Sequence, residues 1–218
     1  PNIRNAAADY MIDHTSSPIK VANFNGVGGS TILYSGHFPR LHPSDFATFT
    51  LDAVGQDWPI SYSQLEHYYH INDIHMGVSG LVGDTAYPPM REGSLKKPIP
   101  MGTYGDRLGQ AFNELGWHWW PSYSAISSTY QDNRVPCQNV GPCNTGCPTG
   151  AKSSVDKTYI PKAIANGIEL RVNTIAHTLI SAGDEIEGVM VRHKGQEEAL
   201  RAKITVLACN AIGTTRIL

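Results

Sequence analysis

Asn25-Gly26-Val27-Gly28-Gly29-Ser30-Thr31 runs directly into the apolar stretch Ile32-Leu33-Tyr34, and its reading decides the rest of the chain. Glycine lets backbone approach a ligand closely and adopt positive φ, so such a turn can present N–H groups to a phosphate. Alone it is weak evidence, because an ordinary tight turn before a strand has the same composition. The surrounding sequence has to decide.

Of the 218 residues, 41% are hydrophobic and 17% charged, which supplies a core and excludes disorder as the default state. Seventeen basic and 19 acidic side chains leave a net charge of −2, so no electropositive footprint for nucleic acid or an anionic membrane exists. The longest apolar runs, such as Ile204–Cys209, fall far short of the roughly 20 residues of a membrane span. The chain opens on Pro1-Asn2-Ile3-Arg4, with no initiator Met and no signal-like segment, and stops at Arg216-Ile217-Leu218. It reads as an internal piece of a longer polypeptide, and the compartment, periplasmic or cytoplasmic, stays open.

Residues 1–24 read as polar and irregular, and 36–60 as loop broken by Pro39, Pro43 and Pro59. Apolar and aromatic spacing predicts helices over Tyr62–Met76, Gly105–Leu115 and, around Pro161, Asp156–Ala165. Between the first two, 77–102 reads as extended. From Ile168 the period changes, predicting strands over Ile168–Val172, Thr174–Ser181, Ile186–Arg192 and Ala202–Cys209. The turns between them are Gly183-Asp184 and Lys194-Gly195. The last run is nearly all apolar, the pattern of a strand buried on both faces.

The segment Asn25–Arg40 as a whole resembles the first signature of the glucose–methanol–choline (GMC) oxidoreductases. Asp57-Trp-Pro-Ile-Ser-Tyr62, Gly146-Cys-Pro-Thr-Gly-Ala-Lys152 and Val206-Leu-Ala-Cys-Asn-Ala-Ile-Gly-Thr-Thr-Arg-Ile-Leu218 resemble later segments of that family, in the family's order. The resemblance implies a mixed α/β, FAD/NAD(P)-binding-type fold with an interleaved substrate domain, present here in part. It implies a flavin-contacting segment over 1–35, a substrate or cover region with a Cys-rich loop over 36–165, and a further part of the FAD-binding domain over 166–218. Cofactor contacts fall on Asn25, Gly26, Val27, Gly28, Gly29, Ser30 and Thr31. They continue at the backbone of Ala176 beside the adenine, and at Asn210, Ala211, Gly213 and Thr214, where a helix N-terminus can face a phosphate. Some relatives bind flavin covalently through a His in the first signature. Leu33 stands nearest that position, which implies non-covalent FAD, with His37 close by. The family's phosphate loop and catalytic His match nothing in 1–218, so no residue here is named catalytic.

Cys137, Cys143 and Cys147-Pro148 fall within eleven residues of a Gly- and Pro-rich loop; the fourth cysteine is Cys209. Thiolates bind iron–sulfur clusters well, and three suit a [3Fe–4S] cluster. The spacing resembles the cluster loop of FAD sugar dehydrogenases in the family, although Val140 stands where many members carry another Cys. The alternatives are free or paired thiols and a zinc site completed by a distant His. His67, His70 and His75 read as packed or solvated, and Trp58, Trp117, Trp119 and Trp120 as buried aromatic packing. Glu197, Glu198, Arg201 and Lys203 read as a solvated strand edge.

Together these imply an FAD-dependent oxidoreductase acting on CH–OH groups of a sugar or polyol. Its partners are a small-molecule substrate, the remainder of its own polypeptide and an electron-acceptor subunit or cytochrome. An oxygen-using oxidase without a cluster, and a metal-binding electron-transfer module, stand as the alternatives.

Overall fold

The computed structural model describes residues 12–13, 15–19, 21 and 23–218, so most of the irregular stretch expected over 1–24 lies outside the described residues. The chain divides into two units, one ending at Asn166 and the other running Gly167–Leu218.

The first unit is built from irregular segments laced together by single bridges. Tyr123–Ser127 runs through its middle with strict alternation: Tyr123, Ala125 and Ser127 are buried and the residues between them are half-buried. Its backbone exchanges hydrogen bonds with three neighbours. Phe38 N–H donates to Tyr123 O, Ser79 and Ser124 pair reciprocally, and Ser153 N–H donates to Ala125 O, at 2.7–2.9 Å. Met76, Val78, Tyr123 and Ala125 form the core, with Tyr34, Phe38 and Trp120 packed against it. Small side chains at Ser79, Ala125, Ala151 and Ser153 let these backbones approach.

Helices flank this lacing. α1 is Thr48–Asp52 and α2 is Tyr62–Met76, the span the spacing predicts. A reciprocal capping box between Ser61 and Gln64 starts α2, and Gly77, at φ 65°, ends it. α3 spans Gly102–Glu114 and α4 spans Tyr159–Ala165, starting three residues later than expected because Ser154–Thr158 forms turns first. Inside the unit, Arg40 Nε and Nη2 both donate to Asp73 Oδ2, at 2.9 and 2.7 Å. Both side chains are buried. Burial pushes the Asp73 carboxyl up against the pull of Arg40.

The second unit is a three-stranded antiparallel sheet in the order β1-β2-β3, with β1 Thr174–Ala182, β2 Glu185–His193 and β3 Gln196–Arg201. Lys194 and Gly195 both take positive φ, the geometry that a two-residue hairpin turn requires. Gly188 permits the β2–β3 approach, since a Cβ there would lie 2.1 Å from Leu200 O. α5, Asn210–Ile217, packs against β1.

Two expected strands do not form among the described residues. Ile168–Val172 forms no strand, and Ala202–Cys209 is neither a strand nor buried, with Ile204 and Val206 about four-fifths exposed. The free edge of β2 is taken instead by Gln196–Arg201, the polar run read as a solvated edge. No described strand remains to pair with 202–209.

Two outcomes follow for the full-length protein. Asp73→Asn removes the nearer of Arg40's two counter-charges, leaving Glu66 Oε1 at 3.7 Å, and lowers unfolding free energy by up to about 3–5 kcal/mol in chemical denaturation. Gly188→Val forces β3 away, and amide exchange in β2 and β3 rises while that in α2 does not.

Candidate functional site

The glycine-rich segment folds as a turn followed by a 3-10 helix, Gly29–Ile32, and not as a turn into a strand. Gly28 and Gly29 have φ of 96° and 56°, a region that disfavours a side chain. Gly29 N–H donates to Gly26 O, closing the turn, and Ser30 Oγ accepts the Phe24 N–H. A Cβ on Gly28 would stand 3.0 Å from Asp156, whereas one on Gly29 would meet no protein atom within 4 Å. Gly28 therefore faces protein and Gly29 faces open space.

One strip of chain, Ala151–Asp156, holds this segment. Val155 N–H donates to Thr31 Oγ1 at 3.1 Å, and Tyr34 Oη donates to Ser153 O at 2.5 Å. Thr31 Oγ1 in turn donates to Gly28 O, which steadies the first glycine. Lys152 completes the clasp. Its ammonium, on a residue 2% exposed, donates to Ile32 O, Tyr34 O and Cys143 O, each at 2.7 Å. It also lies 5.1 Å from the Tyr34 ring centroid. Burial pushes the ammonium down, while the Cys143 and Cys147 thiols and Asp156 draw it up. Burial also pushes the Tyr34 phenol up.

The cysteine loop follows the same strip backwards. Cys137 N–H donates to Ser127 O, and a 3-10 turn spans Cys143–Thr145. All four cysteines are free and half-buried. Cys137 Sγ donates to Asn139 Oδ1 and Cys143 Sγ to Gly141 O, both at 3.6 Å. Cys147 Sγ lies 3.4 Å from Thr149 Oγ1 and accepts the Lys152 N–H. Burial pushes the Cys147 thiol up, but these bonds outweigh it and leave the thiol below its ordinary value. The expected convergence of Cys137, Cys143 and Cys147 on one metal group is not seen. Each sulfur instead contacts a polar atom within five residues of it in the chain. Among the described residues no three His, Cys, Asp or Glu side chains are grouped to hold a metal ion.

In the second unit Ala176 of β1 pairs with Val191 of β2, and Asn210, Ala211, Gly213 and Thr214 lie on α5. The contact between α5 and β1 brings those two expected cofactor contacts onto neighbouring elements. Asn210 Oδ1 accepts the N–H groups of Ile212 and Gly213, so the helix start is capped by its own side chain.

Of the histidines read as packed or solvated, His70 Nδ1 lies 2.7 Å from Ser94 Oγ, His75 stacks on Tyr159 at 5.3 Å, and His67 is exposed. Of the tryptophans, Trp120 packs on the core, but Trp58 and Trp117 are more than half exposed, against the expectation of burial. His37 Nδ1 is bound to Ser122 Oγ at 2.8 Å, and Leu33 ends the 3-10 helix. Sequence reasoning missed Lys152 and Tyr34. A lysine between an alanine and two serines carries no sign that it will be buried.

The site fits a large polar cofactor on two counts. Among the described residues, none lies within 4 Å of a Cβ on Gly29, and buried Asn23 Nδ2 has no hydrogen-bond partner.

A family model described as GMC oxidoreductase matches residues 96–218. The chain is 36% identical over its whole length to a 2-methyl-1,2-propanediol dehydrogenase of Mycolicibacterium austroafricanum, covering 40% of that protein. It is 31% identical over 89% of its length to a 6'''-hydroxyparomomycin C oxidase of Streptomyces lividus, covering 37% of it. With a fructose dehydrogenase large subunit of Gluconobacter japonicus it shares 30% identity over 88% of its length and 36% of the relative's. The chain thus spans about two-fifths of the length of these curated relatives. The matched region holds the clasping strip Ala151–Asp156 and all of the second unit, and on that match the chain belongs to the GMC oxidoreductases, an FAD-binding family.

Proposed function

We propose that this chain is part of an FAD-dependent oxidoreductase that converts a CH–OH group of a sugar or polyol to a carbonyl. The observation that carries the reading is the glycine turn, open at Gly29 and clasped from behind by Ala151–Asp156. Relatives named for a propanediol, hydroxyparomomycin C and fructose support an alcohol or sugar as substrate. Bound FAD supplies the hydride acceptor. Asn25–Thr31 hold it through backbone approach, with Gly28 anchored against Asp156 and Gly29 turned toward it. Ala176 and the start of α5 are assigned to its adenosine and phosphate end. Leu33 offers no nucleophile and His37 is bound to Ser122, which supports non-covalent attachment. The chain's own residues position the cofactor and exclude water behind it; none is assigned the proton transfer.

The cysteines do not gather as a ligand set, so no step is routed through a cluster. This arrangement favours a second reading for the acceptor, in which electrons leave the flavin directly for dioxygen or a quinone. A cytochrome-type partner subunit remains the first reading, supported by the relative named as a large subunit. Iron analysis of anaerobically purified full-length protein separates the two: about three irons per chain supports the relay, and background iron supports the direct acceptor.

The test of the main reading is anaerobic mixing of full-length protein with 1,2-diols and ketohexoses. Loss of the flavin absorbance near 450 nm is expected with at least one of these, and its persistence with all of them contradicts the substrate class. Gly29→Ala meets no protein atom, and the backbone strain at positive φ is about 1–2 kcal/mol. The variant should therefore fold yet lose FAD on gel filtration. Acid precipitation of the wild type should release its flavin into the supernatant, whereas colour in the pellet identifies a covalent bond.

A further inference from the structure

Lys152 has an unusual setting. It is buried, it carries a charge, and among the described residues no carboxylate lies in salt-bridge distance of it. A buried cation is costly unless its donors are satisfied. Here three backbone carbonyls converge on the three N–H donors of one ammonium and satisfy all of them. Two of those carbonyls, Ile32 O and Tyr34 O, belong to the exit of the glycine turn. The third, Cys143 O, belongs to the cysteine loop.

We propose that Lys152 is a positioning residue for the cofactor, fixing the backbone of Ile32–Tyr34 so that Gly28–Thr31 stand in their binding geometry. The inference rests on the reading of Asn25–Thr31 as the FAD segment and adds a residue outside that segment to it. Leu33 lies between the two carbonyls that Lys152 grips, at φ −99° and ψ −4°, which ends the 3-10 helix. Without the ammonium, Ile32 O and Tyr34 O would be buried acceptors lacking a donor, and this backbone would turn to find water. Thr31 is next in line, and its hydroxyl is what joins Gly28 to Val155. Arginine keeps the charge, but its planar fork cannot present three donors from one nitrogen to the three carbonyls.

The test uses full-length protein stripped of flavin and titrated with FAD, followed by flavin fluorescence quenching and the visible circular dichroism of the bound flavin. Lys152→Met and Lys152→Arg should each weaken FAD binding at least tenfold, about 1.4 kcal/mol, and change the dichroism. Asp73→Asn serves as the comparison: it destabilises the same unit without touching the turn, and should keep wild-type FAD affinity. A loss of less than tenfold in Lys152→Arg, or an equal loss in Asp73→Asn, overturns the positioning role. Failure of both Lys152 variants to fold also overturns it, since the residue would then serve the fold as a whole. Wild-type protein that binds no FAD overturns the reading beneath the inference and is told apart by that result alone.

Discussion

The ammonium of Lys152 ties the exit of the glycine turn and the cysteine loop to the strip that carries it. Glycine-rich turns have little to hold themselves in place, because glycine has no side chain to pack and loses the most conformational freedom on folding. The turn at Gly26–Thr31 is held from outside, through carbonyl and hydroxyl groups at Thr31, Ile32 and Tyr34. Hydrogen bonds to a charged donor are worth about 1.5–3 kcal/mol. Three of them on one atom make a junction that weaker contacts can build around. Because the same atom also binds Cys143 O, the cysteine loop and the glycine turn share one anchor.

The core around this anchor is polar for its depth. Arg40, Asp73, Arg134, Lys152 and Ser153 are as buried as Met76 and Val78. Arg134 Nη1 donates to Ser153 Oγ, and among the described residues its Nε has no partner. Such a core gains less from apolar burial than from satisfied polar geometry, and removing one partner costs more than making the pair gains. It specifies positions closely, which suits a unit whose regular secondary structure is sparse. The segments at 36–38, 78–80, 123–127 and 151–153 touch by single bridges.

What was legible in the sequence follows from which signals are local. α2 was readable because its cap and its period lie within the helix: Ser61 and Gln64 start it, and Gly77 ends it. The hairpin turn at Lys194-Gly195 is equally local. Strand pairing is not, and Ala202–Cys209 shows why. An apolar run says that a surface will be buried but not against what, and among the described residues no partner strand is present for it. The glycine turn was found by its composition and by the order of motifs around it. Its clasp was not, because Lys152 lies about 120 residues from Ile32 and nothing in the intervening chain marks the contact. The cysteine spacing was equally plain, yet spacing alone did not say that each sulfur would contact a polar atom within five residues of it in the chain.

Under the proposed function, the clasped glycine turn receives FAD. Hydrogen exchange of the full-length protein, measured with and without FAD, tests it most directly. Slower exchange confined in the first unit to peptides spanning Asn25–Tyr34 and Ala151–Asp156 is the predicted result. FAD binding that leaves those two peptides unchanged, while protecting others, would contradict it.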